Sequence, residues 1–163
     1  EEPGHGLLIL LSAAPERLLS TIRSRCQLIR FLRLTQADLN RVLEGCGALD
    51  QDPPELLAMA AGSPGALLEH RRQRAGLPEE LTGRLASMPD QPMEALALAR
   101  DVCEALDGEQ QLWLINWWQQ QLWARGAGDR PLQRLEILRR HLLSFVQPRL
   151  AWEVALLELT TGA

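Results

Sequence analysis

The sequence predicts a mainly α-helical protein that opens with a strand–helix–strand segment of an α/β fold. Two short apolar runs, GLLILLS at residues 6–12 and QLIRF at 27–31, are typical of buried parallel strands. From about residue 77 onward, apolar residues recur with helical spacing, and prolines at 78, 92, 131 and 148 stand where first helical turns are expected. Because two strands are too few for an independent sheet, we expect the chain to begin inside a domain.

Residues 1–32 are predicted to form the first strand, a short helix and the second strand. Pro15 suits the first turn of that helix, since proline lacks an amide donor that the first turn does not need. Leu18, Leu19 and Ile22 are expected to form its buried side.

Residues 33–76 are predicted to form three short helices. Thr35 is expected to cap the first helix in a variant capping box, and Asp52 is expected to cap the second. Gly62 can end the second helix in the left-handed conformation, and Ser63, which precedes a proline, can cap the third.

Residues 77–163 are predicted to form a bundle of four or five helices, near 78–88, 91–106, 108–125, 131–146 and 148–161. The helix that holds the tryptophans at 113, 117, 118 and 123 is apolar over most of its circumference, with Asn116 and Gln120 on its narrow polar side. Such a helix is usually enclosed by its neighbours. Tryptophan-rich patches also mark interfaces, so an assembly contact stays open.

The composition is that of an ordinary globular protein and excludes several classes of function. No apolar run approaches the roughly 20 residues of a membrane span, and the acidic start EEPGH is unlike a secretory leader. The three cysteines and three histidines are scattered, so the sequence predicts free, at least partly buried thiols and no metal site. A net charge of −4 argues against a stand-alone nucleic-acid binder.

The stretch PERLLSTIRSRC at residues 15–26 concentrates positive charge at Arg17, Arg23 and Arg25. All 17 basic residues of the chain are arginines, whose charge is permanent and whose forked donors suit anions. From its place at a helix end alone, Arg25 is interpreted as a charge that opposes the negative helix terminus. Arg17 and Arg23 are expected to be solvated.

A longer stretch, LILLSAAPERLLSTIRSRCQ, resembles the end of the AAA+ core in replication clamp-loader subunits. There a strand ending in a small hydroxyl residue, called sensor 1, leads into a helix that closes with Ser-Arg-Cys. Ser24, Arg25 and Cys26 match that tripeptide, and Ser12 matches the sensor-1 position. AGSPGALL at 61–68 resembles the start of the sensor-2 helix in the AAA+ lid, and the helical tail resembles the collar through which these subunits oligomerise.

The resemblance implies three domains: residues 1–32 as a remnant of the AAA+ ATPase core, 33–76 as a three-helix lid, and 77–163 as a collar. Family members that hydrolyse ATP carry an arginine two residues after the serine of the sensor-2 Gly-Ser pair, where this chain has Gly65. A subunit that keeps Ser-Arg-Cys and lacks this arginine is similar to the delta-prime type of bacterial DNA polymerase III. The resemblance therefore implies an accessory subunit that does not hydrolyse ATP itself.

The same resemblance implies that Arg25 is an arginine finger, reaching in trans to ATP-Mg on a neighbouring subunit, with Ser24 and Cys26 positioning it. It implies no cofactor or metal bound by this part of the chain. The implied partners are the gamma/tau and delta subunits through the collar, the sliding clamp, and primed DNA within the assembly. The implied location is the bacterial cytoplasm, at the replication fork.

Two other interpretations stay open. One is an ATP-hydrolysing gamma/tau-type subunit, against which Gly65 counts. The other is a helical oligomerisation or adaptor domain with no nucleotide role, which would be supported if the strand–helix–strand segment packed Arg25 internally against a carboxylate. A second arginine group at positions 71, 72 and 74 is expected to be a solvated helix end, with contact to a DNA backbone as the alternative.

Overall fold

The structure, a computed structural model, describes residues 6–144 and 146–161, and the chain divides into two units, residues 1–32 and 33–163. Within the described residues no β-strand forms. The helices there are Ser20–Arg23 (α1), Gln36–Gly45 (α2), Pro54–Ala60 (α3), Pro64–Ala75 (α4), Glu79–Ser87 (α5), Pro92–Ala105 (α6), Gly108–Ala124 (α7), Asp129–Leu143 (α8) and Pro148–Thr161 (α9).

The N-terminal unit does not form the predicted strand–helix–strand. Across residues 6–32 no backbone hydrogen bond joins the runs at 6–12 and 27–31, so neither is a strand. A strand exists only through hydrogen bonds to a neighbouring strand, and two short runs alone are at best marginal as a sheet. The prediction of two strands, which was based on the local apolar pattern, is therefore wrong for this unit.

The predicted helix in the same unit is broken into two short turns. Pro15–Arg17 forms one turn of 3-10 helix, and α1 is a single α-helical turn. The expected buried side is wrong, because Leu19 is 69% exposed and Ile22 is 37% exposed. Helices this short are marginally stable unless their apolar face packs against another element. The Leu19 and Ile22 side chains make little such packing contact.

The helical unit follows the sequence-based predictions closely, and the five helices predicted after residue 77 are confirmed as α5–α9. Pro92 and Pro148 are the first residues of α6 and α9, which is where the fixed φ of proline suits a helix. The predicted end of α8 at residue 146 is three residues beyond the observed one, and residue 145 lies outside the described residues.

The predicted caps before residue 76 are confirmed with one exception. Thr35 accepts a hydrogen bond from the amide of Asp38 at the start of α2, and Ser63 accepts one from the amide of Ala66 at the start of α4. Asp52 is not a cap, because Pro53 occupies the cap position of α3 and makes no side-chain bond. The carboxylate of Asp52 binds a distant arginine instead.

The tryptophan-rich helix α7 lies against several neighbours, as predicted. It packs against α3, α5 and α8, while α9 packs against α6 and α8. Trp113, Trp117 and Trp118 are buried, but Trp123 is 70% exposed near the end of the helix. One apolar core runs from α2 to α9 on both sides of residue 76, and the separate lid and collar segments stay a prediction.

A buried polar contact fixes the start of α7 against α9. The indole Nε1 of Trp152 donates to Oε1 of Gln111 at 2.9 Å, and Nε2 of Gln111 donates to the carbonyl of Leu106 at 2.9 Å. Gln111 is only 4% exposed, so water cannot reach its amide group, and these two hydrogen bonds satisfy the amide instead.

Candidate functional site

The Ser-Arg-Cys tripeptide lies in the turn that closes α1. The amide of Ser24 donates to the carbonyl of Ser20 at 2.9 Å, and the amide of Arg25 donates to the carbonyl of Ile22 at 3.1 Å. The hydroxyl of Ser24 donates to the carbonyl of Thr21 at 3.2 Å. These bonds hold the backbone beneath Arg25 and occupy the serine hydroxyl, which suits a positioning role.

The Arg25 side chain is exposed, and in the part of the chain that the structure describes its guanidinium forms no ion pair with a carboxylate. A guanidinium without a carboxylate keeps its planar set of donors available to an incoming anion. Arg17 and Arg23 are exposed as well. Packing of Arg25 against a carboxylate would have supported the adaptor interpretation, and that contact is not present among these residues.

The other residues of the N-terminal motif are also at the surface. Cys26 is an exposed free thiol, as is Cys46, whereas Cys103 is half-buried. The prediction of buried or partly buried thiols is therefore wrong for two of the three, because no described element covers the turn after α1 or the end of α2. Ser12 accepts a hydrogen bond from the amide of Ala14 at 3.2 Å, a local turn contact.

The second arginine group is not the solvated helix end that the sequence predicted. Arg71 donates from Nε and Nη2 to the two carboxylate oxygens of Asp52, each at 2.6 Å, and from Nη1 to the carbonyl of Ala48 at 2.7 Å. The Asp52 side chain is 6% exposed and that of Arg71 is 20% exposed. This forked bond to the carboxylate raises the pKa of Arg71 above its usual value, so its charge is fixed.

Arg74 joins three helices. Its Nη1 donates to Oε1 of Glu55 on α3 at 3.4 Å, and its guanidinium carbon lies 5.9 Å from the ring centre of Trp117 on α7. Only Arg72 behaves as predicted, since its side chain is 79% exposed and pairs with Glu69 one turn earlier.

The sequence held a signal for these two pairs that the prediction missed. Asp52 precedes Arg71 by 19 residues, and Glu55 precedes Arg74 by the same 19 residues. The two acids are three residues apart, one just before α3 and one on it, and the two arginines are three residues apart on α4. This common spacing indicates that α3 and the residues before it meet one face of α4.

Gly65 is the second residue of α4, at the position where the resemblance places a sensor-2 arginine in ATP-hydrolysing subunits. A β-carbon added there would meet no described heavy atom within 4 Å. Steric crowding within the helical unit therefore does not explain the glycine, and a larger side chain would fit at this exposed position.

The described ranges, 6–144 and 146–161, contain neither a metal-binding cluster nor a membrane-spanning helix. No three His, Cys, Asp or Glu side chains there are grouped so as to hold a metal ion. None of the helices in these ranges is long and apolar enough to span a bilayer.

Comparison with protein families places the chain in a class and then in a family. Residues 1–35 match the model described as DNA polymerase III, delta subunit, which indicates the class, a subunit of that polymerase. Residues 37–159, well over half of the chain, match the model described as cyanobacterial DNA polymerase III delta prime, C-terminal domain. The chain therefore belongs to the DNA polymerase III delta-prime family, and the predicted resemblance to a delta-prime C-terminal portion is confirmed. Searches of the curated proteins and of the solved structures gave no significant match.

Proposed function

We propose that the protein is a non-hydrolysing clamp-loader subunit of the DNA polymerase III holoenzyme, which supplies Arg25 as an arginine finger to the ATP site of a neighbouring subunit. The observation that carries this proposal is the exposed guanidinium of Arg25, which has no carboxylate partner among the described residues and follows α1 in a Ser-Arg-Cys turn. The family match of residues 1–35 supports membership of the DNA polymerase III assembly, in which such a finger would act.

The chemistry of a finger needs such a side chain. Phosphoryl transfer spreads negative charge over the transferring oxygens, and a planar, permanently charged guanidinium stabilises it. In other nucleotide hydrolases such fingers are worth on the order of 10³–10⁵ in rate. Arg71, which is held by Asp52, would first have to give up a buried ion pair, whereas Arg25 would not.

The proposal assigns roles to the rest of the chain. Residues 1–32 are the end of an AAA+ core, 33–76 form the lid, and 77–163 form the collar that joins the gamma/tau and delta subunits. ATP-Mg is bound by the neighbouring subunit, and the assembly places the sliding clamp on primed DNA in the cytoplasm, at the replication fork. Gly65, which lacks a guanidinium, supports a subunit without its own hydrolysis.

The test uses the complete protein reconstituted with its ATPase partners, clamp and primed DNA. Arg25→Ala should lower clamp- and DNA-stimulated ATP hydrolysis by at least about 10³-fold if the finger acts as in other hydrolases. Arg25→Lys should recover only part of the rate, because an ammonium lacks the forked donors. Arg23→Ala is the matched control, since Arg23 is also an exposed arginine of the same segment.

Co-elution of all subunits is checked on the same samples. Loss of turnover in an intact complex for Arg25→Ala, with wild-type turnover for Arg23→Ala, supports the finger. Wild-type turnover for Arg25→Ala in an intact complex refutes it and leaves the chain as an assembly subunit.

A further inference from the structure

The predicted lid packs directly on the tryptophan-rich helix of the predicted collar. The indole Nε1 of Trp113 on α7 donates to Nδ1 of His70 on α4 at 3.0 Å, and the centres of the two rings lie 6.2 Å apart. One turn further along each helix, the guanidinium carbon of Arg74 lies 5.9 Å from the ring centre of Trp117. We call these four side chains the α4–α7 clasp. They join the two segments across residue 76, and α3 packs on α7 as well.

The junction between the two segments is itself packed and hydrogen-bonded. The amide of Gly76 donates to the carbonyl of Arg72 at 3.1 Å, and the amide of Leu77 donates to the carbonyl of Arg74 at 3.1 Å. Leu67 and Leu77, which lie on the two sides of the junction, belong to the same buried apolar cluster. A hinge is a segment whose backbone can change conformation at little cost. A change at this junction would break hydrogen bonds and core packing together, so the junction does not have the character of a hinge.

We propose that the helical unit moves as one rigid body, with no hinge at residue 76, and that the α4–α7 clasp carries a movement of the lid into the collar. The role of this link rests on the proposed function, which assigns a lid and a collar to the two segments, whereas the rigidity can be measured in the chain alone. In a clamp loader, the consequence is that a lid displaced during ATP turnover passes its displacement directly to the subunits that the collar contacts.

The first experiment is native-state hydrogen exchange of the complete chain at increasing urea concentrations. Its reporters are the amides of Leu67 on α4 and Leu114 on α7, whose side chains are both 0% exposed. In one cooperative body both amides exchange through the same opening, so their protection and its dependence on urea should be equal. Exchange of Leu67 through an opening with a smaller urea dependence than that of Leu114 overturns the proposal.

A perturbation confined to the lid gives a second test. Asp52→Ala removes the carboxylate that binds Arg71 on α4, and neither side chain belongs to the clasp. In a single body the substitution should speed the exchange of Leu114 by the same factor as that of Leu67, roughly a hundredfold for a lost buried counter-ion. Arg72→Ala, which breaks an exposed ion pair, is the control and should change either amide by at most about fivefold. A response of Leu67 alone overturns the proposal, and if Asp52→Ala fails to fold or changes neither amide, the wild-type comparison decides.

The clasp is tested by removing its hydrogen-bond acceptor while keeping an aromatic ring. His70→Phe leaves the indole N–H of Trp113 without its partner, so the protection of Leu67 and Leu114 should fall together by about tenfold. His141→Phe on the exposed side of α8 is the matched control and should leave both amides unchanged. Equal exchange in the two variants overturns the role of the clasp.

The third experiment measures the distance between two spin labels in the complete protein reconstituted with its partners, clamp and primed DNA. The labels are carried by unnatural amino acids at residues 72 and 133, which are exposed on α4 and α8. We expect one narrow distance distribution that is the same without nucleotide and with a non-hydrolysable ATP analogue. A distribution that shifts or broadens with the analogue means that the lid turns against the collar, and it overturns the proposal.

Failure of this inference and failure of the proposed function give different results. Hydrogen exchange of the chain alone involves neither ATP nor Arg25, so a rigid body measured there stands even if Arg25→Ala leaves turnover unchanged. Conversely, separate openings of Leu67 and Leu114 overturn the rigid body and leave the outcome of the Arg25→Ala experiment as it was.

Discussion

Removing the carboxylate of Asp52 should cost the helical unit about 3 kcal/mol. The Arg71 guanidinium would be left four-fifths buried without its counter-ion, and breaking a buried pair on one side typically costs about 3–5 kcal/mol. We expect the lower end of this range because Arg71 keeps its hydrogen bond to the carbonyl of Ala48 and its side chain is 20% exposed to solvent. For a unit of this size, that loss corresponds to a fall in Tm of roughly 10 °C.

The measurement is thermal and urea unfolding followed by circular dichroism at the helix band, for which α2–α9 supply nearly all of the signal. The matched control is Arg72→Ala, which breaks an exposed ion pair and should cost less than about 1 kcal/mol. Adding Arg71→Met to Asp52→Ala should cause no further loss, since it removes the unpaired charge. If Asp52→Ala is as mild as Arg72→Ala, the pair does not hold the loop before α3, and the reasoning is refuted.

Two further predictions concern other polar contacts of the helical unit. Hydrogen bonds from Arg84 and then Arg100 hold the pKa of the Asp101 carboxyl below its usual value of 3.8, so this group contributes stability that is present above that pH and is lost as the pH falls below it. The free energy of unfolding, measured by urea titration from about pH 5 to pH 3, should therefore fall less steeply in Asp101→Asn than in the wild type, and equal slopes would contradict the argument. Gln111→Leu should cost about 1–3 kcal/mol at neutral pH, because it leaves the indole N–H of Trp152 buried without an acceptor. Gln133→Leu on the exposed side of α8 is its control, and equal losses in the two variants would count against a role for the buried bond.

The sequence predicted those features of the fold whose causes are local. The starts of α6 and α9 follow from a proline at the first position, and the starts of α2 and α4 follow from a threonine or serine that accepts a bond from an amide three residues later. Such signals act within one turn of helix. These signals can therefore be recognised from the local sequence, without knowledge of the rest of the chain.

The failures all involve partners that are distant in sequence. Asp52 looks like a helix cap until Arg71, 19 residues later, is placed beside it. Trp123 has the same helical spacing as the buried tryptophans and is exposed because no neighbouring element covers the end of α7 among the described residues. The runs at 6–12 and 27–31 have the composition of strands, but a strand is defined by its pairing. The candidate site, by contrast, was found from a local signal, the Ser24–Cys26 motif.

The distribution of carboxylate partners decides which arginines can act on an anion. On α4, Arg71 and Arg74 each bind an acid and a second group from another element, and Trp113 of α7 donates to Nδ1 of His70 at 3.0 Å. These three side chains join α4 to α3, to the loop before it and to α7, and recruiting Arg71 or Arg74 for DNA phosphates would break contacts that hold the unit together. Arg25 makes no such contact within the described residues, so its charge is available without any cost to the fold. Under the proposed function, a guanidinium without a carboxylate partner beside a structured turn is therefore a better candidate for binding an anion than Arg71 or Arg74 of α4.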